Sequence, residues 1–86
     1  METLKEVEEL VEYLAKSVVV NKDAVSVHTE KDDDFNIIMV DVADEDVGRI
    51  IGKHGKIAQS IRTLVYSINH TGERLTVKFA NNNESN

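Results

Sequence analysis

The densest chemistry in the 86-residue chain lies in four consecutive residues, Gly52-Lys53-His54-Gly55. Two glycines bracket an ammonium and an imidazole, and Lys56 follows at once. Glycine tolerates positive φ and lets another backbone come close. The first turn of a helix beginning near Lys56 would add free N–H groups and a partial positive charge, an arrangement that favours phosphate. Charge and helix position make Lys56, Arg49 and Arg62 candidate phosphate contacts. Val47, Ile50, Ile51, Ile57 and Ile61 surround the loop; some should floor a groove against which unstacked bases can lie, and others must be core. A tight turn between two helices would account for the glycines alone, but it leaves the cations around them unexplained.

Other chemistries fail on spacing. A P-loop needs four residues between its glycines, then Lys and Ser/Thr; Gly48 and Gly52 enclose three, and Lys53 is followed by His54. A dinucleotide site lacks its G-x-G, and the chain is too short for a doubly wound sheet. His28 and His70 have no partners at ligand spacing, and Asp32-Asp33-Asp34 lacks the alternation of a calcium loop, so neither metal nor cofactor is expected. Ser26 and His28 share a strand face without a third catalytic partner. The expectation is a binding protein, not an enzyme, with no small-molecule substrate.

The elements that must position this loop follow from periodicity. Leu4, Val7, Val11, Leu14 and Val18 recur at helical spacing, predicting a helix from Thr3 to about Val18. Ala24 to Thr29 alternates as a short strand, and Glu30 to Asp34 reads as a charged turn. Phe35 to Val42 is apolar on both faces, predicting a strand covered on two sides or central in its sheet. A brief helix opens at Asp44, interrupted by Gly48 and Gly52. A second runs from Lys56 to about Asn69 on the stripe Ile57, Ile61, Leu64, Val65 and Ile68. Thr71-Gly72-Glu73 breaks it, and Arg74 to Phe79 alternates as the last strand. The fold class is α+β: helix, strand, strand, helix, helix, strand, with helices packed on one face of a three-stranded mixed sheet.

Length predicts one domain, residues 1–80, followed by a disordered polar tail at 81–86. The chain holds no cysteine, which removes disulfides and thiol chemistry and suits a reducing, cytoplasmic setting. No stretch is long and apolar enough for a membrane span. The net charge of −6 is uneven. Residues 1–46 carry fourteen acids against four lysines, whereas residues 47–78 carry six bases against Glu73 alone. One part of an acidic protein can therefore attract an anion.

The segment VGRIIGKHGKIAQSIRTLV resembles the signature of the KH domain, whose GXXG loop clamps about four nucleotides. The helix and strand ahead of it resemble the type II form. LVEYLAKSVV, VSV and ERLTVKF are similar to segments of the small bacterial single-KH proteins of the KhpA family. The resemblance implies a type II KH fold, with Gly52, Lys53, His54 and Gly55 as the backbone clamp for single-stranded RNA. It further implies a post-transcriptional regulator or RNA chaperone that pairs with a KH protein of the KhpB/Jag type or with itself. The alternative is a protein–protein interaction module that uses the KH fold only for such pairing.

Overall fold

Thr3 starts the first helix by a reciprocal cap: its hydroxyl accepts from the Glu6 N–H at 3.1 Å, and the Glu6 carboxylate accepts from the Thr3 N–H at 3.2 Å. Backbone N–H groups of Glu2 and Thr3, with the Thr3 hydroxyl, hold the Glu6 carboxyl below its usual pKa. The computed structural model describes residues 2–81. Helix α1 spans Leu4–Val18, and a 3-10 turn at Lys22–Ala24 leads into strand β1, Ser26–Asp32. Strand β2 spans Phe35–Val42, helix α2 Asp44–Ile68 and strand β3 Arg74–Asn81. Of the tail expected at 81–86, Asn81 ends β3 and residues 82–86 lie outside the described residues, as does Met1.

β1 pairs antiparallel with β2, and β2 pairs parallel with β3, so the sheet is mixed with β2 at its centre. The hairpin turn is tighter than the sequence suggested. Asp33 takes φ 48, a left-handed value that aspartate tolerates, and the turn shrinks to Asp33-Asp34. Glu30, Lys31 and Asp32 are thereby drawn into β1, opposite Ile37, Asn36 and Phe35.

The buried residues of β2 alternate: Asn36, Ile38, Val40 and Val42 are enclosed, while Phe35 is exposed and Ile37, Met39 and Asp41 are half-buried. On the enclosed face they meet Val7, Val11 and Ala15 of α1, Ile50, Ala58, Ile61 and Val65 of α2, and Leu75 and Val77 of β3. Both helices thus lie on one face, as expected. The apolar residues on both sides of β2 reflect its central place, since its second face is left uncovered. Leu64, expected in the buried stripe of the last helix, stands 41% exposed.

Candidate nucleic-acid interface

α2 is one element by its hydrogen bonding, but His54 and Gly55 inside it take φ 68 and φ 67. Two consecutive left-handed residues cannot continue a right-handed helix. The element is therefore two right-handed segments meeting at His54-Gly55, which is the helix–helix passage expected from the sequence. Gly48 and Gly52 do not break the first segment; both keep negative φ, and the change of path falls after Lys53.

The two loop glycines consequently have different reasons to be glycine. At Gly55 any side chain would be strained by φ 67. Gly55→Ala should cost about 1 kcal/mol, lowering the melting temperature by about 4–8 °C in a thermal melt. At Gly52 an added Cβ would meet nothing within 4 Å, and the backbone is helical. Alanine there should leave the melt unchanged or raise it slightly, because glycine is the poorer helix former. The fold does not demand glycine at this position. His54 is exposed yet holds a left-handed conformation that costs a non-glycine residue about 1 kcal/mol.

The candidate cations have unequal freedom. Lys56 is exposed, and none of the ion pairs among the described residues uses it. The Lys53 backbone lies in α2, but its side chain is outside the described residues. Arg49 is 45% exposed and donates at 2.6 Å to Asp46 and at 3.1 Å to the Glu45 carbonyl. Arg62 turns toward the sheet: its Nε donates to the Val77 carbonyl at 2.9 Å, and its guanidinium lies 5.6 Å from the centre of the Phe79 ring. It satisfies the free edge of β3, away from the exposed line of Lys56, Gln59 and Thr63 on the same segment.

The apolar candidates now separate. Ile50 and Ile61 are core, at 0% and 5% exposure, and Ile51 projects outward at 45%. Val47 and Ile57 pack partly against the core. Ile57 and Arg49 share a shallow cleft with Val18, Glu45 and Gly48, so the end of α1 contributes a wall that loop-centred reasoning did not anticipate.

Asp46 was also missed. Read as one of three acids at a helix start, it is in fact fully buried and gathers four donors. These are the Val20 N–H, the Asn21 N–H and the Asn21 side-chain amide, each at 3.0 Å, and Arg49 at 2.6 Å. Burial pushes its carboxyl pKa up, but the donors from Val20, Asn21 and Arg49 outweigh burial and hold it at about 2. One carboxylate thus fastens the α1–β1 connection to the helical segment that leads to the loop. The sequence signal was an acid three residues before an arginine in an apolar setting.

Among the described residues no group of three or more His, Cys, Asp or Glu could hold a metal ion, and no helix is long and apolar enough to cross a membrane. The family model for the KhpA/KhpB KH domain matches residues 8–79. Among curated relatives, the RNA-binding protein KhpA of Treponema pallidum is 39% identical over 66 residues, covering 77% of this chain and 82% of the relative. The RNA-binding protein KhpA of Caldanaerobacter subterraneus is 53% identical over 57 residues, 66% of this chain and 76% of the relative. That of Listeria monocytogenes is 37% identical over 67 residues, 78% and 88%. No solved structure gives a significant match.

Proposed function

Because this chain belongs to the KhpA/KhpB KH-domain family, we propose that it binds single-stranded RNA at the His54-Gly55 junction, as a binding module without catalytic activity. The observation that carries this reading is the pairing of open space at Gly52 with a strained, exposed His54. A phosphodiester backbone needs that space, and the helical segment after Gly55 directs a partial positive charge toward it. Gly52, Lys53, His54 and Gly55 form the clamp, Lys56 is its most available described cation, and Arg49 supplies donors not used by Asp46. Ile51, Val47 and Ile57 are the apolar surfaces open to bases, whereas Ile50 and Ile61 support them from the core. Arg62 contributes by holding β3 against α2 and reaches RNA only by releasing Val77.

About four nucleotides per domain give modest selectivity. Pairing with a second KH-containing chain of the KhpB/Jag type, or with itself, would supply a second site and raise effective affinity. The role we assign this chain is that of a cytoplasmic RNA chaperone or post-transcriptional regulator, to which broad, weak recognition of unpaired strands is suited.

The test is a titration with an unpaired oligonucleotide and with a hairpin stem of the same composition, followed by backbone NMR. The unpaired strand should bind, with shifts centred on residues 49–57, and the stem at least about tenfold more weakly, because a duplex hides the base faces. Gly52→Ala should weaken binding without lowering the melting temperature. Equal affinity for stem and strand, or full binding by the alanine variant, would remove the clamp and leave a protein-interaction module as the better reading.

A further inference from the structure

The fully buried Asp46 carboxylate is a charged group to which the clamp as described gives no part. Its two oxygens are gripped separately. Oδ1 accepts from the Val20 N–H at 3.0 Å and from Arg49 Nη1 at 2.6 Å, while Oδ2 accepts from the Asn21 N–H and the Asn21 side-chain amide, each at 3.0 Å. Four donors occupy the roughly four lone-pair positions that a carboxylate offers, so it cannot turn. Three of them come from the α1–β1 connection, which makes that connection the base on which Arg49 is held.

Arg49 is held by one end only. Nη1 carries two N–H groups and has two acceptors, Asp46 Oδ1 and the Glu45 carbonyl at 3.1 Å. Nε and Nη2 make no hydrogen bond among the described residues. In a planar guanidinium these two nitrogens form the edge away from Nη1, where parallel N–H groups make the fork that matches two oxygens of one phosphate. The side chain is 45% exposed and lines an open cleft with Val18, Glu45, Gly48 and Ile57, so a ligand can reach it. Arg49 also precedes Gly52 by three residues on a right-handed helical segment. That spacing puts the two on one face, about 5 Å apart along the axis. An RNA backbone lying against Gly52 therefore has a neighbouring phosphate within reach of Arg49.

Resting on the reading of Gly52 to Gly55 as an RNA clamp, we propose that Asp46 is its positioning residue: it fixes Arg49 through Nη1, so that the Nε–Nη2 edge is presented in advance to the phosphate beside the one at Gly52. Holding the side chain beforehand removes the entropy cost of immobilising a long, rotamer-rich group on binding. A carboxylate that served only to tie the α1–β1 connection to α2 would have no effect on RNA through Arg49.

Affinity of the full chain for a labelled unpaired oligonucleotide is measured by fluorescence anisotropy for the parent, Asp46→Asn, Arg49→Lys and the double variant, at a temperature where amide NMR shows each to be folded. Arg49→Lys keeps the charge and loses the fork, and should weaken binding about tenfold. Asp46→Asn should weaken it by a similar factor alone and add nothing in the Arg49→Lys background, where no fork is left to position. A purely structural Asp46 would weaken binding equally in both backgrounds. Should Asp46→Asn fail to fold, the Arg49 Nε–H resonance of the parent decides: it should be nearly as ordered as the backbone before RNA is added, and shift when RNA binds. The proposal is overturned by an Arg49→Lys variant that binds as the parent does, by additive losses in the double variant, or by an Arg49 Nε–H that is mobile or unmoved by RNA. Gly52→Ala keeps the two readings apart. If it weakens binding and Arg49→Lys does not, the clamp stands and the positioning role falls; a parent that binds no RNA removes both.

Discussion

Replacing Lys53 and His54 together by aspartate should leave the domain folded, with a melting temperature within about 4 °C of the parent, and abolish detectable binding to an unpaired RNA oligonucleotide. Folding survives because His54 is exposed and in the left-handed region, where aspartate is among the few residues tolerated. Both glycines and the helical segments are untouched. The charge presented to a phosphate nevertheless reverses. At the proposed clamp, two carboxylates in place of a lysine and an imidazole would repel a phosphate, and the new acids would themselves compete for the positive end of the following helical segment. Thermal melting reads the scaffold, and RNA titration reads the clamp. A variant that melts as the parent does and binds RNA equally well would reduce Gly52 to Gly55 to a turn.

Those parts of the molecule that depend on near neighbours were legible in the sequence. The extent of α1, the bounds of β2 and the mixed sheet all follow from periodicity and order of elements. The parts that depend on distant partners were not. Lys31 and Asp32 have little strand preference of their own, yet β1 extends through them because β2 provides paired positions opposite. Arg62 looked like a phosphate ligand because its charge is visible in the sequence, whereas the Val77 carbonyl and the Phe79 ring that engage it are brought alongside only by packing. The position of the break in α2 was legible only approximately. Two glycines suggest a turn across residues 52–55, but the left-handed pair is His54-Gly55, and a histidine in that conformation is not something composition predicts. The separation of Ile51 from Ile50 and Ile61 likewise required the orientation of the helix on the sheet.

The residue whose role was least visible should have the largest effect on stability. Asp46→Asn removes the charge of a fully buried group that four donors surround, and its amide would turn a donor toward at least one of them. At pH 7 the melting temperature should fall by about 10 °C or more. The pH dependence distinguishes the charge from simple loss of packing. The Asp46 carboxyl is held at about 2 in the folded protein, below its ordinary value of 3.8. A lowered folded pKa means that the unfolded chain takes up the proton first as the solution is acidified. The stability this carboxylate contributes is therefore fully present above its ordinary value and is lost as pH falls from about 4 through 2. Melts of parent and variant from pH 7 to pH 2 should show a wide gap at neutrality that narrows across that window, since the variant has no proton to gain at this position. Other acids titrate in both proteins, and only the difference between the two reports Asp46. A gap that stays constant down to pH 2 would mean that shape, not charge, is what Asp46 provides. A gap that closes would establish an ionised, buried carboxylate as the link that holds the end of α1 against the segment leading to Gly52.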